Sequence, residues 1–253
     1  MKAMVLCAGY GTRLGPLTEK TPKPMLPLHG IPLLEYILRQ LAAHGFDQIV
    51  INVHAMADSF EKYFKDGSML GIQLIYSHEP NLLGTAGGVK KVEEIFKNDE
   101  SFLIHYGDLL TNQNLSDILN FHQKKDALAT LLLHKRIGSN SAVALDDDQR
   151  ITAFLERPTP EERRTLVSPW VNSGICVVKS KFLKEIPHSV PCDLARDIFP
   201  KLVSRGSLYG FPLTGFRHAI DSPERFSMAN KIVSEKGREL FPWLGDHEQK
   251  VFS

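Results

Sequence analysis

The chain has 253 residues, 43% of them hydrophobic and 23% charged, enough to bury one substantial α/β core with at most a small appended part. Thirty basic residues against 29 acidic ones leave a formal charge of +1, so no overall field recruits nucleic acid or an anionic membrane, and any affinity for phosphate has to be local. The three cysteines, Cys7, Cys176 and Cys192, lack metal-ligand spacing; with no run long enough to span a membrane and no signal peptide ahead of the first strand, they read as reduced thiols in a cytoplasmic protein.

Residues 2–8 are an aliphatic run that predicts a buried strand almost at the N-terminus, ended by Gly9 and Gly11. A glycine pair lets the backbone turn through positive φ and lets a ligand approach main-chain N–H groups with no Cβ in the way. Spacing excludes two familiar glycine loops. A dinucleotide fingerprint needs a third glycine where Leu14 stands, and a P-loop needs Lys then Ser or Thr where Thr12-Arg13 follow. What remains is a loop carrying Arg13, followed by Lys23 between Pro22 and Pro24, which restrict Thr21 and Lys23 to extended backbone. Arg13 and Lys23 beside bare backbone suit a polyanion with several phosphates.

Further along, the spacing predicts a helix over 31–45, a strand over 47–53, a helix over 58–67 and a strand over 72–77. A helix over 86–97 follows, entered through the glycines of LLGTAGG, and then a strand over 101–107. Short strands linked by helices force parallel pairing with right-handed crossovers, hence an open three-layer α/β sheet. The second half is less regular: strands within 127–135, 142–156 and 169–180, a helix over 193–206, a hairpin-like pair over 207–221 and a capped helix over 222–236. Asp146, Asp147 and Asp148 read as a solvated turn, and the histidines lack the partners that nucleophilic or zinc chemistry needs.

Two more places carry chemistry. Gly84, Thr85 and Gly87 form a second glycine loop at a helix entry, able to lay amides along a flat base or to accept phosphate. Asp108 falls just past a strand's C-terminal end, where open α/β sheets bind ligands, and a carboxylate there suits a hard divalent ion that also touches phosphate oxygens.

The string AGYGTRLGPLTEKTPKPMLPL resembles the N-terminal signature of the sugar-1-phosphate nucleotidyltransferases, and LGTAG and the Gly107-Asp108 pair resemble later segments of that family. The resemblance implies a Rossmann-like α/β/α fold with a mixed, mainly parallel sheet, nucleoside triphosphate and sugar 1-phosphate as substrates, Mg²⁺ as cofactor and pyrophosphate as co-product. GTP with mannose 1-phosphate is the pair favoured by analogy, with thymidylyl-, uridylyl- and cytidylyltransfer open. It also implies that Ala8, Gly9, Gly11 and Thr12 join Gly84, Thr85 and Gly87 in binding the nucleotide, with Arg13 and Lys23 catalytic. Glu156 would face sugar hydroxyls, Arg157 the sugar phosphate, and Asn172 and Gly174 the pocket wall. Most relatives carry lysine at the position of Arg157. A second departure puts Ala219 where the family has its second metal aspartate, so Asp221, two residues on, is expected to complete the Mg²⁺ site with Asp108. The same departure motivates a rival reading, a non-catalytic nucleotide-sugar-binding or regulatory homologue. A single catalytic domain over 1–253 is expected, mainly nucleotide-binding over 1–112 and mainly sugar-phosphate-binding over 113–253, with no C-terminal β-helix. Neither nucleic acid nor membrane is an expected partner, and a homo-oligomer is compatible with the family.

Overall fold

The computed structural model describes residues 1–188 and 191–244. Strand β1 (Lys2–Leu6) buries Ala3, Met4 and Val5 completely. The two-residue strands β2 (Pro27–Leu28) and β3 (Ile31–Pro32) form an antiparallel ribbon. It leads into α1 (Leu33–Ala43), whose Leu33, Leu34, Ile37, Leu38 and Leu41 recur at helical spacing and are buried. β4 (Gln48–Val53), α2 (Ala57–Phe64) and β5 (Gln73–His78) follow, α2 anchored by buried Phe60 and Phe64. The helix expected over 86–97 is two, α3 (Gly84–Lys91) and α4 (Glu93–Phe96), separated at Val92. Then come β6 (Ser101–Tyr106), β7 (Leu109–Thr111) and α5 (Leu115–Lys124). Sequence reading passed over α5, although Leu115, Ile118, Leu119 and His122 give it a buried face.

The remaining strands are β8 (Ala129–Lys135), β9 (Ser141–Leu145) and β10 (Ile151–Glu156). After them, α6 (Pro160–Thr165) starts from a capping box made by Thr159 and Glu162, and β11 (Trp170–Lys179) follows. The helix expected over 193–206 is instead a π-helical turn over Leu194–Ile198 followed by α7 (Phe199–Val203). Pro200 explains the change of pitch, because it lacks an N–H to donate and crowds the residue before it. β12 (Leu208–Pro212), β13 (Arg217–Ala219) and α8 (Pro223–Leu240) complete the described elements. Residues 207–221 are not a hairpin: β12 runs parallel to β8, while β13 lies antiparallel to β7.

The chain divides into two compact units, one comprising Met1–Leu82, His105–Asn114 and the stretch from Gly215, the other Leu83–Ile104 and Leu115–Thr214. Within the first, β1, β4 and β5 pair in parallel, with Leu6 opposite Asn52 and Asn52 opposite Ser77. The second contains the β9–β10 hairpin, β11 antiparallel to β8 and β9, and β12 parallel to β8. The Asp146–Asp148 turn joins the hairpin, Asp146 Oδ1 accepting from the Asp148 and Arg150 amides. This is an α/β, Rossmann-like fold with parallel and antiparallel strands mixed, as the resemblance implied. Among the described residues no helix is long and apolar enough to cross a membrane.

Candidate functional site

In the first unit, the loop after β1 turns at Gly11, which takes φ 68°, whereas Gly9 does not adopt positive φ. The Thr18 hydroxyl closes the loop by donating to the Gly11 and Gly15 carbonyls, both at 3.2 Å. Lys23 does not lie in extended backbone as its flanking prolines suggested. It opens a 3-10 turn over Lys23–Met25, sealed by the Met25 amide donating to the Pro22 carbonyl at 2.8 Å. What fixes its ammonium is a carboxylate: Lys23 Nζ donates to Asp108 Oδ2 at 2.6 Å, and the lysine side chain is only 12% exposed.

Asp108 is placed by its neighbour. A Cβ at Gly107 would lie 2.7 Å from the Leu6 carbonyl oxygen and 2.8 Å from Cys7 Sγ, so only glycine lets the backbone pass this close to the end of β1. The ribbon of β7 and β13 leads to the other acidic position. Leu109 pairs with Ala219, and one step on the Ile220 amide donates to the Asp108 carbonyl at 2.8 Å, so Asp221 follows one residue beyond the position opposite Asp108. Asp221 sits among cations, Oδ2 3.7 Å from Arg13 and Oδ1 3.2 Å from Arg225. It is not the cap of α8. That duty belongs to Ser222, whose hydroxyl accepts from the Arg225 amide at 3.3 Å.

In the second unit, the glycine loop is the first turn of α3 itself. Gly84 takes φ 76°, and a Cβ on it would stand 2.4 Å from the Cys192 carbonyl oxygen. That carbonyl accepts from the Ala86 and Gly87 amides at 2.9 and 3.1 Å. Thr85 donates its hydroxyl to Asp193 Oδ2 at 2.9 Å and accepts from the Leu194 amide at 2.8 Å. The helix entry is thus locked to the Cys192–Leu194 segment. Asn172 and Gly174 occupy an irregularity of β11 between Asn172 and Cys176. There Asn172 Oδ1 accepts from the Gly174 amide at 3.1 Å, and Gly174 takes φ 87°. Glu156 ends β10 half-buried, its carboxyl pushed above the usual range by burial first and by the neighbouring Asp193 second, against the pull of Arg157 and Arg196. Arg157 takes the strained φ 52° and leaves its side chain 71% exposed, with Nε 4.0 Å from Glu156 Oε1.

The nucleotidyl transferase family matches residues 2–217. The chain belongs to that family. Its sequence is 39% identical to the UTP–glucose-1-phosphate uridylyltransferase of Synechocystis over 81% of this chain, and 35% identical to the mannose-1-phosphate guanylyltransferase of Mycobacterium tuberculosis over 88%. The chain spans 56% and 62% of the lengths of these two relatives. In fold it is similar to UDP-glucose pyrophosphorylase from Acinetobacter baumanii, at TM-score 0.80 and 18% identity, with 99% of each chain covered.

For a nucleotidyl transferase, the metal question rests on the donor set. Among the described residues no three His, Cys, Asp or Glu side chains gather as a metal cage. Two partly exposed carboxylates at adjacent strand ends, 31% and 27% exposed, are nonetheless the hard oxygen donors that Mg²⁺ takes when phosphate oxygens complete its shell. Sequence reasoning missed Asn52 and Glu79, both 3% exposed and hydrogen-bonded to each other at 2.8 Å beneath the first loop. The available signal was a polar residue at the C-terminal end of an otherwise apolar strand.

Proposed function

We propose that this nucleotidyl transferase condenses a nucleoside triphosphate with a sugar 1-phosphate to give an NDP-sugar and pyrophosphate. The observation that carries this reading is the grouping of Lys23 on Asp108 and Arg13 by Asp221 in the first unit, two cations and two carboxylates beside a glycine loop. The loop amides of Ala8, Gly9, Gly11 and Thr12 take the triphosphate, while Gly84, Thr85 and Gly87 serve the base and ribose. Glu156, Asn172 and Gly174 serve the sugar, and the exposed side chain of Arg157 its phosphate.

An oxygen of the sugar phosphate attacks the α-phosphorus in line; its new P–O bond forms as the bond to the β-phosphate breaks and pyrophosphate leaves with the electron pair. A phosphate monoester is already anionic at neutral pH, so no general base is required. The protein's work is to position two anions and to neutralise spreading negative charge, the task of Arg13 and Lys23. Asp108 and Asp221 would hold Mg²⁺, which supplies further neutralisation on the phosphate oxygens.

GTP with mannose 1-phosphate is the first pair to test, supported by the name of the Mycobacterium relative. UTP with glucose 1-phosphate is the second reading, supported by the 39% identity to the Synechocystis relative. The deciding experiment is pyrophosphate release across a panel of nucleoside triphosphates and sugar 1-phosphates. Release with one pair supports the proposal and names the substrates. Binding of an NDP-sugar with no release from any pair would establish the non-catalytic homologue instead. The three buried free cysteines fit a cytoplasmic setting.

A further inference from the structure

Parallel pairing of β1 and β4 ends with Leu6 opposite Asn52. Cys7 is the first residue beyond the ladder, and its amide, buried at the head of the glycine loop, needs an acceptor that the β4 backbone does not supply. The Asn52 side chain supplies it: Oδ1 accepts from the Cys7 amide at 2.8 Å. The other half of the same side-chain amide, Nδ2, donates to Glu79 Oε1 at 2.8 Å, one residue past the end of β5. The Glu79 amide donates to the Val53 carbonyl at 2.8 Å. The far side of the loop is tied to the same place. His54 Nδ1 faces the Glu79 carbonyl oxygen at 2.6 Å and therefore carries a proton, which in a neutral ring leaves Nε2 to accept from the Tyr10 hydroxyl at 2.8 Å.

We propose that Asn52, held by Glu79, is a positioning residue that sets the shape of the glycine loop for the nucleotide, with His54 fixing the loop's other end through Tyr10. Three strand ends thereby share one hydrogen-bonded chain, at the edge where open α/β sheets receive their ligands. Asn52 touches the loop only through the Cys7 amide, so its effect is on where the Ala8–Gly11 amides point. The proposal rests on the nucleotidyl-transfer reading for its kinetic consequence and on geometry alone for the tether.

The test separates the two. In Asn52→Leu the KM for the nucleoside triphosphate rises about tenfold, the scale of a displaced contact surface, while the KM for sugar 1-phosphate stays within about twofold. Amide hydrogen exchange of Cys7–Gly11 quickens, with β4 and β5 still protected. Asn52→Asp alone sets two carboxylates against each other and weakens the loop. Adding Glu79→Gln exchanges donor and acceptor along the same line, so the double variant recovers nucleotide KM and exchange protection toward wild type. A merely structural role predicts no such recovery and moves both KM values together. Equal changes in the two KM values, no recovery in the double variant, or unaltered exchange over Cys7–Gly11 would each overturn the assignment. Should Leu at this position prevent folding, the isosteric single and double variants carry the comparison. A wild-type protein that releases no pyrophosphate sinks the nucleotidyl-transfer reading instead, and exchange over Cys7–Gly11 still decides the tether.

Discussion

With its ammonium 2.6 Å from Asp108 and little of its side chain in solvent, Lys23 is already ordered, so the proposed contact with phosphate would cost little further side-chain entropy. Lys23→Ala should slow turnover by about two orders of magnitude, the scale of one lost transition-state contact, while unfolding in urea shifts by about 1 kcal/mol or less because Asp108 retains access to water. Near-normal turnover would remove Lys23 from the chemistry. Asp108→Asn should both lower the rate and raise the Mg²⁺ concentration for half-maximal rate, since a neutral amide is a poorer ligand for a hard cation. A rate loss with unchanged Mg²⁺ dependence would leave the residue only its contact with Lys23. The turn at Gly11 was legible in the sequence because a glycine turn is a local matter. The backbone at Lys23 was not, because the two prolines it lies between permit a 3-10 turn once Met25 finds the Pro22 carbonyl.

Among the elements, the β7–β13 ribbon leads directly into Asp221. Its place just before α8 would also suit a helix cap, but Ser222 holds that cap. Asp221→Ala should therefore cost little stability and most of the Mg²⁺-dependent pyrophosphate release, whereas Ser222→Ala should lower stability by about 1 kcal/mol and spare the reaction. The reverse pattern in paired activity and urea measurements would return Asp221 to a structural role. The entry of α3 behaves differently. Its lock on Cys192 and Asp193 joins residues 108 apart in sequence, a contact that no local pattern announces. Gly84→Ala must relieve both a Cβ placed 2.4 Å from a carbonyl oxygen and a left-handed φ, and should lower stability in urea by about 2 kcal/mol or more. A loss within a few tenths would show that the Cys192 segment yields easily. The supposed hairpin over 207–221 misled for a related reason: only the residues from Leu213 to Phe216 separate two strands that join different partners, and turn chemistry looks the same in either case.

For the whole molecule, acid should be the weak flank. Burial pushes the imidazoles of His105 and His122 down to about 4 from an ordinary 6.5. Between those values the unfolded chain binds protons that the native one refuses, so stability is complete above about pH 6.5 and is lost as pH falls toward 4, on the order of 1–3 kcal/mol for each residue. Urea midpoints measured from pH 7 down to pH 4.5 should fall accordingly, and His122→Gln should flatten part of that slope. A midpoint independent of pH across this range would mean that neither imidazole resists protonation.

The order in which the chain leaves the ribosome gives the interleaving of the two units a temporal meaning. Residues Leu83–Ile104 and Leu115–Thr214 are all in hand before Gly215 is made, so the second unit has its complete set of strands while the first still lacks β13 and α8. The Thr111 hydroxyl waits for the Phe216 carbonyl, 105 residues later in synthesis, and Asp108 waits for Ile220. Arg13 is therefore translated early and meets Asp221 late. A nascent chain halted before Gly215 should protect β8 and β11 from proteolysis while its N-terminal loop stays open to cleavage, because the Thr111–Phe216 and Asp108–Ile220 hydrogen bonds are still unmade.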